Sequence, residues 1–216
     1  MKALNLPIVT ATCLSLLCSG SCGSSSGNCP PEASPHGARP PKGGVVWCAR
    51  ADGNKHGDWT EWYSSGTLKT KGQYRDGKME GTWVTYYEPS TVAQAYDEAR
   101  PSVAPLKKKQ EGAYEANRKK GKWTLFYEDG KFNRAAMHTP ASSTVAWVTW
   151  RPTGEKWAQG TLHKTRDHGL YKEWHKNGRL AAQGNYVEGE KVGEWLLWDI
   201  NGNRSATPQG DFELAQ

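Results

Sequence analysis

The sequence predicts an all-β fold: an elongated antiparallel β-meander of tandem hairpin repeats, about 24 residues each, preceded by a disordered linker. Three observations predict it. Aromatic rings recur on a 24-residue beat, glycines keep the same beat, and Asp-Gly, Asn-Gly and Ser-Gly pairs punctuate each period where hairpins turn. No segment carries a long 3.6-residue apolar period, so helix is expected to be essentially absent, with one or two turns at most in "AQAYDEA".

The beat starts in "GDWTEWYSSG". Steps of 24 residues reach Trp59 and Trp83, then Trp123, Trp147, Tyr171 and Trp195. The gap from 83 to 123 is 40 residues, one period plus 16. The surplus lies in "STVAQAYDEARPSVAPLKKKQ", read as an insertion loop at about 90–110. A second ring follows each first by three residues: Trp62, Tyr86, Phe126, Trp150, Trp174 and Trp198. Glycine stands two residues before the first ring at 57, 81, 121, 169 and 193, and again inside the second half at 72, 112, 160 and 184. Six units result, within a repeat domain spanning 45–212; the unit near Ala146 lacks its leading glycine.

Each unit parses as strand, turn, strand, turn. In the first, "DWTEWY" and "TLKTKGQY" are the strands, "SSG" and "RDGKMEG" the turns. Strand alternation puts Trp59 and Trp62 on opposite faces. Repetition therefore builds aromatic columns on both faces of one sheet, structural rings that are also candidate binding columns. A glycine inside a strand is a weakness, which a neighbouring ring lying over it recovers. Tryptophan and glycine are read as partners, with the pairing left open.

Units of the form G-x-W-x-x-W/Y-Y-x-x-G-x-x-x-x-x-G-x-Y-x-x-G resemble the bacterial MORN-repeat variant found in YwqK-like antitoxin family proteins. The resemblance covers roughly residues 47–204 and is best in "GDWTEWYSSGTLKTKGQYRDGKMEG" and "GLYKEWHKNGRLAAQGNYVEGEKVGEW". It implies a hairpin array used as a scaffold or interaction surface, in some members an antitoxin-like binder of a partner protein, with no catalytic residues to carry over.

Composition fits such an array. There are 11 Trp and 9 Tyr but only 3 Phe and 3 Met, so burial leans on large rings. The formal net charge is +6. This mild excess permits weak attraction to anionic surfaces without arguing for any, and nucleic acid is not an expected partner. Oligomeric state is not legible.

The first 21 residues read as a signal peptide, with Lys2 as n-region and "ALNLPIVTATCLSLLCSG" as a short apolar h-region. "SGSCGSSSG" resembles a bacterial lipoprotein cleavage site, making Cys22 the lipidated residue of an exported cell-envelope lipoprotein, with a Gram-negative outer membrane the expected home. Residues 22–44 are Gly-, Ser- and Pro-rich and read as a linker. Lipidating Cys22 leaves Cys29 and Cys48 as an even pair, suited to a disulfide in an oxidising compartment.

Enzymatic constellations are weak: no phosphate loop, no GxSxG, no Cys/His nucleophile context. Glu61, Glu173 and Glu194 read as cross-strand partners for Lys and Arg. His163 and His168 can face each other across a hairpin with Asp167 nearby, but without defined ligand spacing no metal site is expected. The expectation is a non-enzymatic, cofactor-free interaction scaffold, anchored to a membrane and binding a protein partner. The alternatives are a peptidoglycan- or glycan-binding module using exposed Trp, or an antitoxin-like binder.

Overall fold

The computed structural model describes residues 29–89 and 105–206. They form one antiparallel sheet of 15 strands and no helix. The strands are β1 (Ala33–Ala38), β2 (Val45–Arg50), β3 (Lys55–Trp62), β4 (Leu68–Arg75), β5 (Lys78–Tyr86), β6 (Lys108–Glu115), β7 (Arg118–Phe126), β8 (Phe132–His138), β9 (Thr144–Trp150), β10 (Lys156–His163), β11 (Arg166–Asp167), β12 (Gly169–Trp174), β13 (Leu180–Val187), β14 (Glu190–Trp198) and β15 (Arg204–Ala206). Each pairs with the next in sequence, except that β12 also pairs with β10 and the short β11 pairs with β10 alone. The meander predicted from the 24-residue beat is the observed architecture.

Two turn types alternate. Along one edge the hairpins use a Gly-terminated turn: Gly66 donates to the Tyr63 carbonyl and Tyr63 to the Thr67 carbonyl, a pattern repeated at 127–131, 151–155, 175–179 and 199–203. This is a type I turn closed by a left-handed residue. Along the other edge stand two-residue turns with both residues at positive φ: Asp76-Gly77 at 51° and 77°, Ala116-Asn117 at 49° and 70°, Glu188-Gly189 at 50° and 93°. Such mirror-image turns match the natural twist of paired strands.

The expected linker gives way at one place. Ala33–Ala38 within it forms β1, paired with β2 from Ala33↔Arg50 to Ala38↔Val45. Backbone pairing offsets the cost of ordering a Pro- and Gly-containing segment at a sheet edge, where Pro35 is tolerated. Cys29 and Cys48 are joined in a disulfide, their Cα atoms 5.5 Å apart, which ties this segment to β2. The signal peptide, Cys22 and most of the insertion lie outside the described residues.

The core is a layer of rings laid over glycines. Gly72, Gly112 and Gly184 sit directly opposite Trp59, Trp83 and Tyr171 on the preceding strands. On the following strands the ladder slips. Between Lys71↔Val84 and Gln73↔Glu80, for example, β5 runs three residues opposite the single Gly72. The same bulge recurs opposite Gly112 and Gly184. Each bulge opens on a glycine at positive φ, Gly81 at 64°, Gly121 at 65° and Gly193 at 67°. The slip lays Trp83, Trp123 and Trp195 over the bare glycines, where an added Cβ would come within 3.0 Å of each indole. These three tryptophans are buried, Trp123 at 2% exposure.

Candidate interaction surface

The first rings form a column on one face. Trp47, Trp59, Tyr74, Trp83, Tyr114 and Trp123 follow one another at centroid distances of 6.0, 5.6, 5.4, 6.0 and 4.9 Å. A second run joins Trp147 to Tyr171 at 6.2 Å and Tyr171 to Trp195 at 5.8 Å, with Tyr186 between the last two. Tyr74–Trp83, Trp83–Tyr114, Tyr114–Trp123, Tyr171–Tyr186 and Tyr186–Trp195 meet edge to face and the others are tilted; aromatic pairs in such arrangements add roughly 0.5–1.5 kcal/mol beyond area burial. Cations cap the column: Lys55 over Trp59 at 4.3 Å, Lys119 over Trp123 and Lys191 over Trp195 at 4.4 Å, Arg134 over Trp147 at 5.0 Å. Burial pushes the Lys119 ammonium below its ordinary range, with Arg134 adding to the shift. The first-ring column is thus spent on packing.

The second rings point to the opposite face and are less continuous. Phe132 bridges Phe126 and Trp150 at 5.6 Å on either side. Arg39 lies 5.0 Å over Trp62, Lys156 lies 3.9 Å over Trp174, and Tyr86 is buried. On this same face, by strand alternation, Phe132, Met137, Leu170 and Val187 are about half exposed.

Sequence reasoning missed a third series. The residue after each second ring reaches the main-chain carbonyl of the next unit's second ring. Tyr63 Oη donates to Tyr86 O at 2.8 Å, Tyr87 Oη to Phe126 O at 2.7 Å, Tyr127 Oη to Trp150 O at 2.9 Å. Arg151 donates to Trp174 O at 3.1 Å, and His175 Nε2 to Trp198 O at 2.8 Å. The signal was the ring, Arg or His that keeps the 24-residue beat one place further on. Tyr74, Tyr114 and Tyr186 were likewise visible as the third letters of "GQY", "GAY" and "GNY".

Other named side chains fall in place. Glu61 pairs with Lys69 at 2.7 Å and Glu194 with Arg204 at 3.2 Å. Glu173 instead accepts from Trp157 Nε1 at 3.1 Å and from the Tyr171 hydroxyl at 3.0 Å. Burial first, then Glu173, pushes the Tyr171 phenol far above its ordinary range. Beside it, Arg134, Trp147, Trp157, Leu162, Asp167 and Tyr171 line a cavity of about 360 Å³. His163 and His168 do face each other, 5.5 Å apart, but their acid is Glu188, while Asp167 lines the cavity near Tyr171.

No curated protein matches the chain. No helix among the described residues is long and apolar enough to cross a membrane, which leaves β-strand spanning unaddressed. The family model described as the MORN repeat variant matches twice, at residues 55–76 and 167–188, so the chain carries this repeat in its first and fifth units.

Proposed function

We propose that the protein is a non-enzymatic interaction scaffold, exported and held at the cell envelope by lipid on Cys22, which binds a partner protein through the second-ring face of the sheet. MORN repeats are in general protein- and membrane-interaction modules without catalytic residues, which supports the class. The observation that carries the choice of face is asymmetry. Cations lie over rings on both faces, but the first-ring face exposes only Leu125 and Trp157 among its large apolar side chains, whereas the opposite face exposes Phe132, Met137, Leu170 and Val187. Exposed apolar side chains on a rigid sheet suit protein contact.

The test is affinity capture from detergent-solubilised envelope, with Phe132→Ser and Met137→Ser as controls. A partner retained by the native chain and lost by these variants supports the reading. Retention unchanged in both would remove this face from it. Cys22→Ala should move the protein from membrane to soluble fraction; palmitate labelling that persists in that variant would refute the anchor.

One observation favours a second reading, binding of an envelope glycan. The cavity of about 360 Å³ presents Trp147, Trp157 and Tyr171 beside Arg134 and Asp167, rings to stack on a sugar and charges to bind its hydroxyls. Binding to isolated peptidoglycan sacculi, lost in Trp157→Ala, with no co-purifying protein, would favour it over the scaffold.

A further inference from the structure

We propose that His163, His168 and Glu188 form a binding site for a divalent transition-metal ion of the zinc class. The three offer ligand atoms all within 4.8 Å of one another. His163 Nδ1 lies 2.9 Å and His168 Nδ1 3.5 Å from the same oxygen, Glu188 Oε1. Zinc–nitrogen and zinc–oxygen bonds of about 2.0–2.2 Å in tetrahedral geometry set neighbouring ligand atoms about 3.4 Å apart. The cluster needs only small side-chain adjustments to reach that spacing.

The backbone assembles the site from two hairpins. β10 ends at His163, and the tight turn at Lys164, with φ of 56°, returns the chain through β11. His168 then bulges out of the ladder, its N–H bonded to the Thr161 carbonyl at 2.8 Å. Glu188 is at the tip of the β13–β14 hairpin, and the Gly189 N–H donates to the Asp167 carbonyl at 2.8 Å, pinning that tip beside β11. The same bond recurs from Gly77 to Lys55, so the approach of tip to strand is a property of the repeat.

Two further observations point to a ligand. His168 Nδ1 is buried and makes no hydrogen bond, its 3.5 Å approach to Glu188 falling outside hydrogen-bonding geometry. A buried, unpaired imidazole nitrogen costs free energy that a coordinated ion would recover. The equivalent place in the first unit shows what the position asks for. There His56 Nδ1 lies 3.3 Å from Asp76, and Arg50 pairs with Asp76 and lies 3.6 Å from Glu32. A guanidinium serves as the cation in the first unit. In the fifth, a second imidazole from His163 takes its share of the space, and Arg166 acts on Glu188 only at longer range. Two imidazoles and a carboxylate suit zinc, copper or nickel better than calcium or magnesium, and leave further positions open to water.

The experiment is titration of the full chain with Zn²⁺ by calorimetry, and with Co²⁺ by visible absorption. The expected result is one ion held at this site, with tetrahedral Co²⁺ bands. Affinity should fall roughly tenfold or more in Glu188→Gln and His168→Asn, near-isosteric changes that leave the β-sheet dichroism intact. Glu188→His should retain binding, and His56→Asn should leave it unchanged. Equal affinity in native, Glu188→Gln and His168→Asn chains would overturn the proposal, as would native binding weaker than about 1 mM, too weak for the fixed three-ligand geometry argued here.

Discussion

The joint between β8 and β9 differs from the joints at β4–β5, β6–β7 and β13–β14, and the difference explains what the repeat is built to do. At the three regular joints a positive-φ glycine opens a bulge, the bulge carries a tryptophan over a bare glycine, and the indole is buried. At β8–β9 the opening position is Val145, whose branched side chain disfavours positive φ. The ladder there runs without a slip, from Arg134↔Thr149 to Met137↔Ala146. Trp147 therefore lies directly opposite position 136, which carries the Cβ of Ala136, and leans over Gly160 on its other side instead. Leading glycine, bulge, tryptophan and bare glycine act as one device. Remove the first and the rest relax together. Leu162 and His138 also stand where other units have tyrosine, and the cavity opens on this stretch.

Substitutions can break that comparison. The largest effect is expected for Trp123→Ala, about 3–5 kcal/mol in chemical unfolding, because its ring is buried and its Nε1 bonds the Ala113 carbonyl at 2.9 Å. Trp147→Ala, at the irregular joint, should cost less than half as much; equal losses would mean that the bulge adds nothing to burial. Next comes Gly112→Ala, about 2–3 kcal/mol, since the new methyl meets the Trp123 ring, a rigid body with little room to shift. The reverse change, Ala136→Gly, should cost about 1 kcal/mol or less, the backbone-entropy penalty alone.

A smaller effect tests whether the carbonyl staples are independent of the device. Tyr127→Phe and Tyr63→Phe should each lose about 1 kcal/mol, the net worth of one hydrogen bond, although only Tyr127 staples across the irregular joint. A clear inequality would show that the staples sense the bulges. The smallest effect is a pH dependence. Burial, then Lys119 and Arg134, holds the His138 pKa below its ordinary value of 6.5. The unfolded chain then binds this proton more readily, so the His138 contribution is present above about pH 6.5 and is lost as pH falls below it. His138→Tyr should remove this slope, so the native-minus-variant stability difference should fall as pH drops below about 6.5; a difference that stays flat across that window would remove His138 as the cause.

Much of the fold was legible because its determinants are periodic. Trp59 to Trp195 and their glycines repeat in register, and strand alternation alone separates Trp59 from Trp62. The site was less legible. Tyr63, Tyr87 and Tyr127 carry the beat in sequence, yet their targets are main-chain carbonyls, which no residue pattern displays. Glu188 lies 20 residues beyond His168, and nothing in composition links them.

The sequence by itself determined the unit, its period, its turns, the two faces and the partnership of ring with glycine, because these follow from alternation and backbone preference within one hairpin. Only the tertiary structure decided which tryptophan covers which glycine, that Ala33–Ala38 joins the sheet, and that Glu188 rather than Asp167 meets the two histidines. Those outcomes depend on strand register and on how each hairpin tip leans on the preceding unit. Register slips at bulges and tip-to-strand hydrogen bonds form between repeats, where the local chain carries no record of its neighbour.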